Sequence, residues 1–139
     1  MKVVVIDDDP TGSQTVHSCP LLLRWDVDTL RRGLRHASPL LFLLADTRAL
    51  TPTDAAERNR DIAAALDQAL HREGLERDQV LLVSRGDSTL RGHGVLEPEV
   101  LQASFGPFDA TFHVPAFLEG GRTTVNGVHL LHGEPVHTT

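Results

Sequence analysis

Val3-Val4-Val5-Ile6-Asp7-Asp8-Asp9-Pro10-Thr11-Gly12 sets the reading of the whole chain. Four β-branched residues without polar alternation predict a strand buried on both faces, as in a parallel sheet, and the carboxylates that follow place polar chemistry at its carboxyl end. Two further runs repeat the design. Leu40-Leu41-Phe42-Leu43-Leu44 precedes Asp46-Thr47-Arg48, and Val80-Leu81-Leu82-Val83 precedes Ser84-Arg85-Gly86-Asp87. A fourth apolar run, Ala110 to Val114, leads into Pro115 and is expected to be the next strand of the series.

Helical patterns lie between these runs. Thr51-Pro52 supplies an N-cap and a proline at the first helical position, after which Ile62, Leu66, Ala69 and Leu70 recur at three- and four-residue spacing until Gly74. Asp28 to His36, with Leu30 and Leu34 one turn apart, predicts a shorter helix, and Glu97 to Ala103 a third. Strands alternating with helices predict an α/β fold with a mainly parallel sheet, flanking helices and right-handed crossovers. Ligands in such sheets bind beyond the carboxyl ends of the strands. Asp7 to Gly12, Asp46 to Arg48 and Ser84 to Gly92 are therefore expected along one edge, although about 40 residues separate each from the next. Val128-His129-Leu130-Leu131 and Pro135-Val136-His137 flank His132-Gly133-Glu134, which predicts a C-terminal β-hairpin. The chain stops just after it, so a continuation of the natural protein is expected.

With 139 residues, 40% hydrophobic and 23% charged, the chain is expected to be one domain with a core. Its formal net charge is −6 and no run of Lys or Arg marks a phosphate-tracking stripe, so nucleic acid is not an expected partner. Lys2 is the only lysine. One cysteine, Cys19, cannot form an internal disulfide and reads as an inert thiol; no leader-like segment opens the chain, and a cytoplasmic location is expected. No apolar stretch approaches the roughly 20 residues of a membrane-spanning helix. The eight histidines show no ligand spacing, and no metal site is expected.

Three constellations carry chemistry. In Asp7-Asp8-Asp9-Pro10-Thr11-Gly12, adjacent carboxylates repel one another, so their place at a strand end calls for a cation, hydroxyl groups to accept from, or solvation. The spacing Asp7-x-Asp9-x-Thr11 also matches the nucleophile motif of haloacid-dehalogenase-type phosphatases. An acidic opening is similar to response-regulator receiver domains as well. Receivers require a late lysine and the phosphatases a downstream Lys or Arg with a further acidic pair on a strand end; no lysine follows Lys2, and no late apolar run carries such a pair. The second constellation, Ser84-Arg85-Gly86-Asp87-Ser88-Thr89-Leu90-Arg91-Gly92-His93, gathers two guanidiniums, a carboxylate and several hydroxyls between glycines that permit close backbone approach, and could cradle a small hydroxylated anion. The third is the loop Pro115-Ala116-Phe117-Leu118-Glu119-Gly120-Gly121-Arg122-Thr123-Thr124-Val125-Asn126-Gly127, with donors on Arg122, Thr123, Thr124 and Asn126 and a turn signal at Asn126-Gly127.

In this order the three blocks resemble the four-carbon acid sugar kinases, and the likeness continues through the hairpin from His129 to Val136. The chain departs from that pattern at Gly86 and Gly94. The resemblance implies the N-terminal sugar-acid-binding domain, residues 1–139, of a two-domain enzyme that uses ATP and Mg²⁺ to phosphorylate tetronates or 3-oxotetronates. The missing C-terminal nucleotide-binding domain is the expected partner, the fragment alone is expected to hold no cofactor, and the isolated chain is expected to be inactive. On this reading Arg91, with Arg85, binds the substrate carboxylate as a guanidinium fork. Asp8 and Asp87 accept hydrogen bonds from substrate hydroxyls, and either can serve as the catalytic base. Thr11, Arg48, Ser88, Arg122 and Asn126 complete the candidate set. Two alternatives stay open: a stand-alone hydroxy-acid binding module, and the phosphatase with Asp7 as nucleophile.

Overall fold

The computed structural model describes residues 1–138. Four strands, β1 (Lys2–Asp7), β2 (Leu21–Leu22), β3 (Leu40–Leu44) and β4 (Val80–Arg85), pair in the order β2-β3-β1-β4, all parallel. Val5 stands opposite Phe42 on one side and Val83 on the other, and the register carries Asp7 level with Leu44 and Arg85. The chain leaves β1 for β2 and β3 on one flank and then crosses to β4 on the other. β1 therefore lies at the point where the strand order reverses, which opens a crevice at the carboxyl ends.

Alternation along the strands explains the core. Val4, Ile6, Leu41 and Leu43 share one cluster with Leu30 and Leu34 of α1 (Val27–Arg35), Ile62, Leu66 and Leu70 of α2 (Pro52–Glu73), and Leu101 and Phe105 of α3 (Leu96–Phe105). Full burial of each large aliphatic side chain stabilises the fold by roughly 1.5–3 kcal/mol. The helices begin and end where local chemistry directs. The Asp26 carboxylate accepts from the Thr29 amide at 3.0 Å and starts α1 at Val27, one residue before the predicted Asp28. Thr51 Oγ1 accepts from the Asp54 amide at 3.2 Å, Pro52 follows, and Gly74 closes α2 in the left-handed region with φ of 66°. Lys2 Nζ donates to the carbonyls of His36 at 2.6 Å and Ser38 at 2.8 Å, satisfying acceptors just past α1.

The C-terminal segment forms a second, antiparallel sheet of β5 (Arg122–Val125), β6 (Val128–Leu131) and β7 (Glu134–Pro135). The predicted hairpin across His132 and Gly133 is present, but its second strand ends at Pro135 and Val136–Thr138 turn into a short 3₁₀ segment. Asn126 and Gly127, at φ of 51° and 76°, make a second two-residue hairpin turn that brings β5 into the sheet.

The run from Ala110 to Val114 is not a strand: Phe112 is 88% exposed and Val114 75%. Pro107 and Pro115 flank it, and among the described residues no element pairs with it, so its apolar side chains have nothing to pack against. The two-residue β2 was not anticipated, because it is too short to carry a periodic pattern.

Candidate functional site

The strand register brings three loops to one edge, and backbone hydrogen bonds stitch them together. The Asp7 carbonyl accepts from the Ala45 amide at 2.8 Å, the Asp8 carbonyl from the amides of Thr47 at 3.0 Å and Arg48 at 3.1 Å, and the Asp8 amide donates to Arg85 O at 3.1 Å. This lattice places acidic and basic side chains from β1, β3 and β4 in one layer.

Within it the charges pair. Arg48 donates to Asp8 through Nε at 2.9 Å and Nη2 at 2.8 Å, a bidentate fork, while its Nη1 lies 3.2 Å from Asp9. Arg85 Nη1 donates to Asp7 Oδ1 at 3.1 Å. Arg91 Nε donates to Asp87 Oδ2 at 2.5 Å, and the Thr89 hydroxyl donates to the same oxygen. Thr11 donates to Asp9 through both its amide and its hydroxyl. The second sheet joins through Arg122, whose Nη1 donates to Ser88 Oγ at 3.1 Å and whose guanidinium lies 5.9 Å from the Phe117 ring centre. Of the four arginines gathered here, only Arg122 has no carboxylate partner among the described residues.

Two glycines let the loops close over these pairs. A Cβ on Gly12 would collide with the Asp7 carboxylate and Arg85 Nη1; one on Gly92, at φ of 81°, would stand 3.2 Å from both Asp8 Oδ2 and Arg48 Cγ. Asp7 and Asp8 are almost fully buried, and Asp7 Oδ2 has no hydrogen-bond partner. Burial pushes the Asp7 carboxyl up from the ordinary aspartate value against the pull of Arg85. Hydrogen bonds from Thr11 hold Asp9 below its ordinary value. Burial opposes ionisation of Asp87, but the Arg91 guanidinium and the Thr89 hydroxyl outweigh it and hold that carboxyl far below the usual range.

The structure thus brings together Asp8, Arg48, Arg85, Asp87, Ser88, Arg91 and Arg122, with Thr11 at the rim on Asp9. Asn126 sits at the tip of the β5–β6 turn with its side chain exposed, and no hydrogen bond ties it to the ion pairs. A buried polar group beneath the site was missed by sequence reasoning: Thr47, Asn59 and Glu97. Thr47 falls in the expected Asp46-Thr47-Arg48 segment, but nothing in the sequence marks Asn59 or Glu97, which reads as an ordinary acid in the first turn of a helix.

Lys2, the only lysine, is engaged beyond the C-terminus of α1. Among the described residues no three His, Cys, Asp or Glu side chains converge as metal ligands. A concavity of 630 Å³ beside Leu70, Gly74 and Arg77 lies toward the amino end of β4, away from the ion pairs at the carboxyl edge.

A family model described as a sugar-binding N-terminal domain matches residues 3–139. D-erythronate kinase of Heliobacterium modesticaldum is 30% identical over 146 positions, covering 99% of this chain but 31% of that protein.

Proposed function

The chain belongs to the family of sugar-binding N-terminal domains, and on that premise we propose that it holds the acid sugar in an ATP-dependent kinase of tetronates or 3-oxotetronates. The observation that carries this reading is the charge arrangement at the carboxyl ends of β1, β3 and β4. Three guanidiniums are matched by carboxylates and a fourth, Arg122, is not. A small ligand with one carboxylate and several hydroxyls complements that pattern. Its acid group pairs with Arg122, and Arg91, whose Nε alone is engaged with Asp87, adds its terminal nitrogens. Its hydroxyls donate to Asp87.

We assign the two candidate bases different roles. Both oxygens of Asp8 accept from Arg48 and the residue is 2% exposed, which supports a role in orienting that guanidinium. Asp87 is held ionised by Arg91 and Thr89, which makes it a strong acceptor and a weak base. Its role is to align the hydroxyl, consistent with phosphoryl transfer in which positioning and charge neutralisation supply most of the rate. On this reading nucleotide and Mg²⁺ are left to the rest of the kinase, of whose relative this chain spans 31%. The phosphatase reading requires an accessible Asp7 oxygen, and Asp7 is 1% exposed beneath Gly12. The site suits a stand-alone binding module equally well, and the kinase relative favours the enzyme.

Calorimetric titration of residues 1–139 with D-erythronate tests the assignment. A charge-assisted hydrogen bond contributes about 1.5–3 kcal/mol, so Arg122→Ala should weaken binding by tenfold or more, and Arg91→Ala by less. Unchanged affinity in Arg122→Ala would remove that residue from the site.

A further inference from the structure

We infer that Glu97 is a positioning residue whose buried carboxyl, at the start of α3, fixes the Thr47–Arg48 loop and thereby the guanidinium that Asp8 and Asp9 share. Glu97 is 4% exposed, and Thr47 and Asn59 are fully buried against it. Glu97 Oε1 accepts from the Thr47 hydroxyl and from Asn59 Nδ2 at 3.2 Å. The loop above is held on every side. The Thr47 and Arg48 amides donate to the Asp8 carbonyl, Arg58 Nη1 donates to Ala45 O at 2.9 Å, and the His93 ring meets Leu50 O at 3.0 Å. His93 O in turn accepts from the Glu97 amide at 3.0 Å.

Among the described residues only the Thr47 hydroxyl ties this loop to α3 by a side-chain bond, and Glu97 is its acceptor. Removing the carboxyl leaves the buried Thr47 hydroxyl without an acceptor and Asn59 Nδ2 with its bond to Ala55 O alone, and the nearest relief for Thr47 is movement of the loop toward water. Arg48 moves with it, because Thr47 and Arg48 hang from the same Asp8 carbonyl. Burial raises the Glu97 carboxyl against the hydrogen bond from Thr47, and the charge of Asp8 raises it further. The groups facing it are Asp8 at the end of β1, His93 ahead of α3 and the neutral Asn59 of α2, whose Oδ1 is buried without a donor. A glutamine keeps a side-chain oxygen that can accept from the Thr47 hydroxyl and Asn59 Nδ2.

The test is read on Arg48 itself and needs no ligand. In ¹⁵N spectra of residues 1–139, the Arg48 Nε–H, bonded to Asp8, should be shifted and slow to exchange, as should that of Arg31, bonded to Glu73 far from the site. Glu97→Ala should broaden or lose the Arg48 signal and leave Arg31 unchanged, and Glu97→Gln should restore it. If Glu97→Ala fails to fold, Thr47→Val breaks the same link at nearly constant volume and should again lose Arg48 alone. An unchanged Arg48 signal in either folded variant would overturn the assignment. A second arm rests on the tetronate reading: Glu97→Ala or Thr47→Val should weaken D-erythronate about tenfold while Glu97→Gln stays near wild type. Failure of wild type to bind the acid counts against that reading alone, since the Arg48 spectrum decides the positioning role independently.

Discussion

Arg48, Arg85 and Arg91 each meet a carboxylate before any ligand arrives, and the sense of each perturbed carboxyl follows from its neighbours. The folded-state pKa of Asp87 lies below its unfolded value, so its contribution to stability is present above about pH 3.9 and is lost as pH falls below it. Glu97 has the opposite sign. Its folded value is raised, so its contribution is complete below about pH 4.3 and declines as pH climbs toward the folded-state value. Denaturant titrations at stepped pH should show Asp87→Asn with a shallower acid limb than wild type, and Glu97→Gln without the decline on the other side. Curves parallel to wild type for both variants would contradict these environments. That Asp7, Asp8, Arg48, Arg85 and Asp87 gather at one edge was legible in the sequence, because each follows directly on or close behind an apolar run that forms a strand. Which guanidinium meets which carboxylate was not legible, since that depends on loop paths set by Gly12, Gly92 and the amides that reach Asp7 O and Asp8 O. Glu97 was hidden for a related reason: its burial comes from contact with a loop 50 residues away in sequence.

At the level of elements, α2 carries the fold and its ends are chemically specified. Thr51→Ala removes the acceptor for the Asp54 amide and should cost about 1 kcal/mol in denaturant unfolding, with D-erythronate affinity unchanged because the cap touches none of the paired residues. A loss of affinity at constant stability would mean that α2 couples to the site through more than its packing. β1, β3 and β4 were readable from uninterrupted apolar runs, and α2 from its cap, period and terminal glycine. Ala110 to Val114 has a similar composition but no strand beside it, which shows the limit of such runs: hydrophobicity proposes a strand, and a neighbour with free backbone groups makes one. The second sheet was half visible. Asn126-Gly127 signalled a turn, but pairing of Arg122–Val125 with Val128–Leu131 required treating a candidate binding loop as a strand.

For the whole molecule, the sheet order matters more than the number of strands. β1 stands between β3 and β4, so the loops that leave all three share one edge, and the antiparallel sheet reaches that edge through the contact of Arg122 with Ser88. No helix among the described residues is long and apolar enough to cross a membrane. The chain spans 31% of its kinase relative, and the proposed function gives recognition to this part and phosphoryl transfer to the whole protein. The most direct test of that division is a heteronuclear NMR titration of residues 1–139 with D-erythronate and, separately, with erythritol, the uncharged tetrol. Saturable binding of the acid, with shifts centred on Asp46–Arg48, Arg85–Gly92 and Arg122 and little response to the tetrol, is the predicted result. Equal responses to both ligands, or acid-induced shifts centred on Leu70, Gly74 and Arg77 instead, would contradict it.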